Sequence, residues 1–508
     1  MRNPLRLICI VVVAGLVPAG GTFASGAPAA LAHHAVTTRS AAAQSEFDQG
    51  LTLMYAFNPE EATFHFQEAI RADPTCAMAY WGIALAAGPN VNTTYDDQRA
   101  SIGREAIAAA RGSNVRASDE ERGYVDALAR RYAAASAAQI PAAQNAYAAA
   151  MAALARRYPN DPDAETLAAE ALMDLTPLAM WRHDGSPNGN TRRVIAMLDD
   201  VLRRDPAHLG ANHYLIHAWE DAPDPRPALV AARRLATLDL PPAAEHLAHM
   251  PAHIFTKVGD YDAAIAASLR AVALFRAYIP QQHSAVHNGY YPHDLQVLDY
   301  AYMMTGQWAK ARDVATEVAH QVDDNGAAAD TYVRFHRWRE LRSLPAPSQP
   351  GLRWRWAQGM AAAGSSDMRS AQATLSWLDS LHDRDPRTGI ARDLLGASID
   401  ARSHRDDRAI ASLRDAVRLE DGLAIKEPPA WYYPIRETLG ARLALAHRYR
   451  EAEQTFNDDL RRNPANPRSL YGLAQVEMKT DPGRAAQMQA AYRRAWSHAD
   501  TPLSLDAL

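Results

Sequence analysis

Two short stretches of this sequence set imidazoles where they can act together. "HYLIHAWE" carries His213 and His217, and "EHLAHMPAHIF" carries His246, His249 and His253. His213 and His217 are four residues apart, as are His249 and His253; on a helix, residues i and i+4 are surface neighbours. Such a pair chelates a metal ion through two ring nitrogens, as in helical zinc sites. The second pair follows the first by 36 residues. On adjacent helices the two pairs would bring four imidazoles to one point, a donor set suited to zinc, copper, iron or nickel. His246 is then a fifth ligand or a polar neighbour. Glu220 is placed to ligate, to orient a histidine, or to act as general base, and His293 to complete the shell or share the catalytic role. Nine of the 19 histidines fall within residues 208–293, where His208, His283 and His287 lie near loops and are weaker candidates. The competing reading of the same residues is a polar groove that binds peptide carboxylates and responds to pH.

Other stretches carry less. "AAEALMDL" sets Glu170 and Asp174 four apart, as carboxylate ligands, as groups that hold a histidine tautomer, or as an exposed pair. In "QQHSAVHNGYYPHD", His287, Tyr290 and Tyr291 are candidates to cap a site. "KEPPAWYYPIRETLG" stacks Trp431, Tyr432 and Tyr433 before Arg436, either as packing or as an aromatic and cationic wall for substrate. Tyr80, Trp81 and Cys76 read as core. There is no convincing GxGxxG, Walker loop, GxSxG or HExxH, so no nucleotide cofactor and no zincin mechanism is expected.

The elements that must hold these residues repeat. "FDQGLTLMYAFNPEEATFHFQEAIRADP" places Gly50, Ala62, Phe66, Ala69 and Pro74 at the spacings found again in Gly440, Tyr449, Ala452, Phe456, Leu460 and Pro464. Gly259, Tyr261, Ala264, Ser268 and Ala271 form a third set, and Gly306, Trp308, Ala311 and Ala315 a fourth. Small residues let paired helices approach, and large ones fill the gap between repeats. No stretch alternates with period two, so no sheet is expected.

On these residues the chain resembles the tetratricopeptide-repeat (TPR) superfamily, whose unit is about 34 residues, over most of residues 45–500. The resemblance implies an all-α solenoid of helical hairpins wound into a superhelix with a concave groove. It also implies that one helix of each hairpin lines that groove. Taking Ala228, Ala264 and Ala311 as equivalent sets units starting near 209, 245 and 292. His213 and His249 then share the fifth position, His217 and His253 the ninth, and His246 and His293 the second; Gln296 and Tyr300 follow at the fifth and ninth of the third unit. "HYLIHAWE", "HLAHMPAHIF" and "PPAWYYPIRETLGARL" look like a bacterial subgroup of secreted or periplasmic TPR proteins, which brings no established reaction.

The polar, Gly/Pro/Asn-rich "WRHDGSPNGNT" (181–191) reads as a loop over one mouth of the superhelix, and the Pro-rich 343–351 as a linker between arrays at 45–342 and 352–508. Residues 1–32 read as a signal peptide: Arg2 and Arg6, then the apolar "LICIVVVAGLV", then "ALA". A periplasmic or secreted location follows, with no membrane span after cleavage. Residues 33–44 read as a flexible tail. Cleavage after Ala32 would leave His33 as a terminal α-amine and imidazole, a metal chelate or merely a polar start. Lys+Arg is 53 and Asp+Glu 58, giving a net charge of −5; nothing argues for nucleic acid. The expected function is a metal-dependent enzyme, copper first and zinc second, acting on a small molecule or peptide in the groove. The alternative is a non-catalytic scaffold for an extended peptide or partner protein.

Overall fold

The computed structural model describes residues 32–284, 289–322, 325–424 and 426–508. The expected signal peptide, Ala32 apart, lies outside them. Among the described residues there are 24 α-helices and no strand: the chain is an all-α superhelix of helical repeats. Local chemistry writes many of the boundaries. Asn58, Asp161, Asp385, Asn466 and Asp481 each accept a backbone N–H of the first helical turn, and each precedes a proline at the first helical position.

The repeat residues do what their sizes suggest. The Phe66 ring lies between Gly50 and Gly82, and the Phe456 ring between Gly440 and Gly472; a Cβ at any of the four glycines would collide with it. Each phenylalanine thus locks one hairpin to the next.

The superhelix is wound tightly enough that distant repeats touch. Tyr55, at the end of helix Ala41–Tyr55, packs its ring on Gly210 of helix Leu209–Trp219. Asn58 donates to the Ala243 carbonyl at 3.0 Å. Further along, Asp500 accepts from the backbone N–H groups of Trp308 and Ala309 at 2.7 and 2.9 Å, capping helix Trp308–Val322 from almost 200 residues away. Buried Arg334 and Glu437 form a two-point ion pair. At the level of the histidines the inner face is therefore filled by the chain itself rather than left as an open groove. Gly259, at φ 80°, faces the Pro464 carbonyl so closely that a Cβ would overlap it. We expect Gly259→Ala to cost more than about 2 kcal/mol, adding the left-handed backbone penalty to that overlap. Denaturant unfolding measures it, and a loss under about 0.5 kcal/mol would contradict the contact.

Three expectations need correction. Residues 33–40 are not a flexible tail but a strap tied to the first helices. His34 Nδ1 lies 2.9 Å from Asp163, Thr37 bonds Glu121 through its backbone N–H and its hydroxyl, and Thr38 bonds Asp73. The helical array begins at Ala41, because Ser40 caps that helix. The Pro-rich 343–351 does not divide two cores. One apolar cluster runs from Phe47 to Ala301 and a second from Tyr261 to Leu508, so they meet near residues 261–301. Leu341 and Trp354, on either side of the stretch, belong to the same second cluster. Among the described residues one helical run, Tyr261–Gln281, is long and apolar enough to cross a membrane by length and composition. It packs as the second helix of a hairpin, with Ala264, Ala267, Ser268 and Ala271 buried.

The strap carries a pH dependence. Burial opposes charge on His34, but the hydrogen bond and charge of Asp163, with Asp161, outweigh it and raise the imidazole to about 9. A folded pKa above the unfolded 6.5 means the contribution is complete below pH 6.5 and lost as pH rises through 9. The stability difference between wild type and His34→Gln should be roughly 3 kcal/mol at pH 6 and should shrink across pH 7–9. A difference that stays flat over that range would refute the charged pairing.

Candidate metal centre

Three successive repeats build the centre. Helix Leu209–Trp219 supplies His213 and His217, helix Glu245–Val258 supplies His246, His249 and His253, and helix Tyr291–Met304 supplies His293. His213 and His249 are fully buried, and His246, His217 and His253 are 2%, 6% and 6% exposed. Placing these rings inside puts Pro251 in the middle of the central helix, where a proline normally costs about 3 kcal/mol.

The four rings of the two i, i+4 pairs do not meet at one point. Each pair instead recruits the second-position histidine of the next repeat. His213, His217 and His246 form one trio and His249, His253 and His293 the other, with candidate ligand atoms within 4.8 Å of one another in each. The reason is spacing. His246, one turn before His249, faces the first pair with its centroid 5.0 Å from that of His213, and His293 on the third helix faces the second pair, 4.8 Å from His249. His246 and His249, three apart on the central helix, connect the trios with ring centroids 6.0 Å apart.

The partners behind the rings fix which nitrogens face inward. His213 Nδ1 lies 2.6 Å from the Tyr55 carbonyl. A carbonyl only accepts, so Nδ1 carries the proton and Nε2 presents its lone pair. Glu220 caps the first helix and stands behind both trios, 2.7 Å from His217 Nδ1 and 3.3 Å from His253 Nδ1. Asp294 Oδ1 lies 3.2 Å from His249 Nδ1. The last two contacts are at ion-pair distance but off the line of a good hydrogen bond. A carboxylate behind a ligating imidazole is a recurrent arrangement in metal sites, where it orients the ring and raises its basicity.

The inward side is crowded with nitrogen. His249 Nε2 is 2.8 Å from His253 Nε2, and His293 Nε2 is 3.5 Å from His253 Nε2. With the proton of one ring on Nε2 the 2.8 Å contact is an N–H···N hydrogen bond; with both protons on Nδ1 two lone pairs would face each other there and a cation would fit between them. In the other trio, Nε2 of His213, Nε2 of His217 and both ring nitrogens of His246 are buried with no protein partner. Each such atom costs about 1–3 kcal/mol if left unsatisfied.

Burial keeps these rings in the neutral form that ligates. It pushes His217 down to about 3 and, with His217 nearby, His293 down to about 4. His213, His246, His249 and His253 also fall well below the usual imidazole value, burial being the first cause in each. Burial lifts Glu220 to about 8 against the pull of Lys257, and lifts Asp294 well above the carboxylate range, with Glu245 adding to it. A cation among the rings would act on both carboxyls in the opposite direction.

The two trios differ in their surroundings. Phe57 presses its ring on the first, 4.5 Å from the His213 centroid, 5.6 Å from His217 and 5.5 Å from His246. Tyr290 stacks on His246 at 4.1 Å and accepts from Asn92 Nδ2 at 3.2 Å, roofing that trio. The second trio includes His293, the one ring of the six that is only partly buried. A small cavity beside Glu220 and His217 is lined by Asp221, Thr176 and Met180. Trp181, from the 181–191 insertion, packs on Trp219 at the end of the first helix and donates to the Ala218 carbonyl.

Several expected groove residues lie elsewhere. Glu170 and Asp174 are buried with Arg131, which bonds Asp174 at 2.6 Å. Tyr291 turns away to stack on Phe275 and to bond Glu317 and Arg276. Tyr300 sits in the second apolar cluster. Gln296 is half-buried and supplies no atom to either trio. His33 bonds Asp48 on the first helix, and His287 lies outside the described residues. Tyr55, Phe57, Asn92 and Asp294 are contributors that sequence reasoning missed. Only Asp294, adjacent to His293, had any local signal.

No family model matches this chain, and no curated protein does. Among solved structures it is similar to human IFIT1, in a dimer with m7Gppp-AAAA, at 12% identity over 91% of each chain, with a TM-score of 0.33. It is also similar to a chain of the APC/C hetero-tetramer Cut9–Hcn1, at 11% identity over 91% of this chain and 95% of that one, with a TM-score of 0.30. At these values the likeness carries no argument about function, and the helical-repeat assignment rests on the hairpins described above.

Proposed function

We propose that this chain is a periplasmic or secreted metalloprotein that holds two metal ions in tandem three-histidine sites and uses them as an enzyme. His213, His217 and His246 would hold one ion, and His249, His253 and His293 the other. The observation that carries this reading is the set of buried imidazole nitrogens turned on one another, 2.8 Å apart at the closest, with carboxylates behind them. Three neutral imidazoles and no thiolate suit copper first and zinc second. Bound copper would supply redox chemistry, and zinc would supply Lewis-acid chemistry for hydrolysis.

The chain's own residues divide the work. Glu220 holds the His217 ring and its Nδ1 proton in place, and Glu220 and Asp294 stand behind His253 and His249 at ion-pair distance. Phe57 and Tyr290 keep water from the first trio. His293, partly open, puts the second trio nearer a small molecule or peptide substrate. Signal-type residues at the N-terminus support the extracytoplasmic location.

Elemental analysis of the full mature protein, reconstituted with Cu or Zn, tests this. We expect two equivalents for wild type, one for His213→Ala/His217→Ala and one for His249→Ala/His253→Ala. No stoichiometric metal in any form would sink the reading and leave the non-catalytic scaffold in its place.

A further inference from the structure

The C-terminal half forms a half-open cavity of about 530 Å³, far from the histidine pairs in sequence, whose lining carries four arginines: Arg334, Arg402, Arg442 and Arg468. A volume in this range holds a small organic molecule. Two of the charges are answered within the protein. Arg334 is paired with Glu437, and Arg442 stands 3.4 Å from Asp406.

The other two are not. Arg468 is 3% exposed; its guanidinium donates to the backbone carbonyls of Ala507 and Arg334 at 2.8 and 3.0 Å and lies over the Phe335 and Trp496 rings at 5.9 and 5.8 Å, its Nε has no hydrogen-bond partner, and no carboxylate pairs with it among the described residues. Burial and the neighbouring Arg334 push its pKa down to about 9, against the opposing pull of Glu437. Arg402, exposed at the rim, makes no ion pair among the described residues. Exposed Asp506 also lines the rim, but it reaches no arginine within salt-bridge distance. Tyr433, Trp338 and Met360 give the rest of the wall an aromatic and apolar character.

We propose that this cavity binds a small organic anion, an apolar or aromatic body carrying a carboxylate or phosphate that pairs with Arg468. A buried guanidinium without a carboxylate partner is costly, and its planar fork fits either anion. The proposal is independent of the metal reading.

Calorimetric titration of the full chain, as purified, with benzoate, phenyl phosphate and inorganic phosphate separates the sources. Saturable binding of benzoate but not phenyl phosphate assigns a carboxylate, and the reverse assigns a phosphate ester; inorganic phosphate should bind more weakly than either. Arg468→Gln should weaken binding about tenfold, and Arg402→Glu several-fold. Arg192→Glu, in the N-terminal half, should leave it unchanged. The His249→Ala/His253→Ala protein should bind the probe as wild type does, which keeps this result apart from any anion held by bound metal. If Arg468→Gln does not fold, Arg402→Glu decides. No saturable binding of any probe at millimolar concentration, or binding unaffected by the arginine changes, would overturn the proposal.

Discussion

Stripping the metal with a strong chelator should lower the melting temperature by roughly 8–16 °C. A ligand that binds only the folded state, held at a thousandfold excess over its Kd, stabilises by about 4 kcal/mol. Two such sites give about 8 kcal/mol, and at about 2.1 cal/mol/K per residue a chain of this size shifts by about 1–2 °C per kcal/mol. The effect should be large because the metal-free centre is unfavourable in itself. It leaves Nε2 of His213, Nε2 of His217 and both ring nitrogens of His246 buried without protein partners. In the unfolded chain those nitrogens return to water. Scanning calorimetry at fixed free metal, with and without chelator, measures the shift. His249→Ala/His253→Ala should keep about half of it, and Glu220→Gln, which touches one ring in each trio, should weaken both sites by about 10–100-fold. A melting temperature unchanged within about 2 °C would mean that nothing binds where the rings converge.

The parts of this molecule that were readable in the sequence are those set by neighbours along the chain. Gly50 and Phe66, or Gly440 and Phe456, lie 16 residues apart in the sequence and meet inside a single hairpin, so the repeat and the helical class follow from spacing. The i, i+4 histidine pairs are local in the same sense. How the pairs group is not, because it depends on the distance between helices as well as on position within them. The register placed His246 and His293 as equivalents but did not say that each joins the pair before it.

Adjacent residues show a second limit. Tyr290 precedes its helix and covers His246, whereas Tyr291 is its first residue and turns toward Glu317. The sequence alone offers both rings equally. Longer contacts left no trace at all. Tyr55 reaches His213 across 158 positions, and Asn92 reaches Tyr290 across 198. The winding of the superhelix sets both, and no local pattern encodes it. The strap at 33–40 was misread for the same reason. Its polarity suggested a tail, but His34 and Thr37 find their carboxylates on helices that begin more than 80 residues later.

Phe57→Ala should separate the two trios kinetically. The side chain is 3% exposed, its backbone sits at φ 52°, and its ring touches all three imidazoles of the first trio. Truncating a buried phenylalanine costs about 3–5 kcal/mol, so a clear loss of stability is expected whatever the centre does. The informative readout is metal release to a chromogenic chelator. In wild type, the ion of the second trio should leave first, since His293 is partly open and the first trio lies under Phe57 and Tyr290. Phe57→Ala should speed the slow equivalent and leave the fast one unchanged, making release close to a single phase. Phe57→Leu, which restores most of the apolar volume, should recover most of the stability and part of the slow phase. If stability falls but both equivalents leave at their wild-type rates, Phe57 is packing alone and does not guard the first site. If both equivalents accelerate together, the substitution has loosened the whole centre, and the asymmetry between a covered and an open site is wrong.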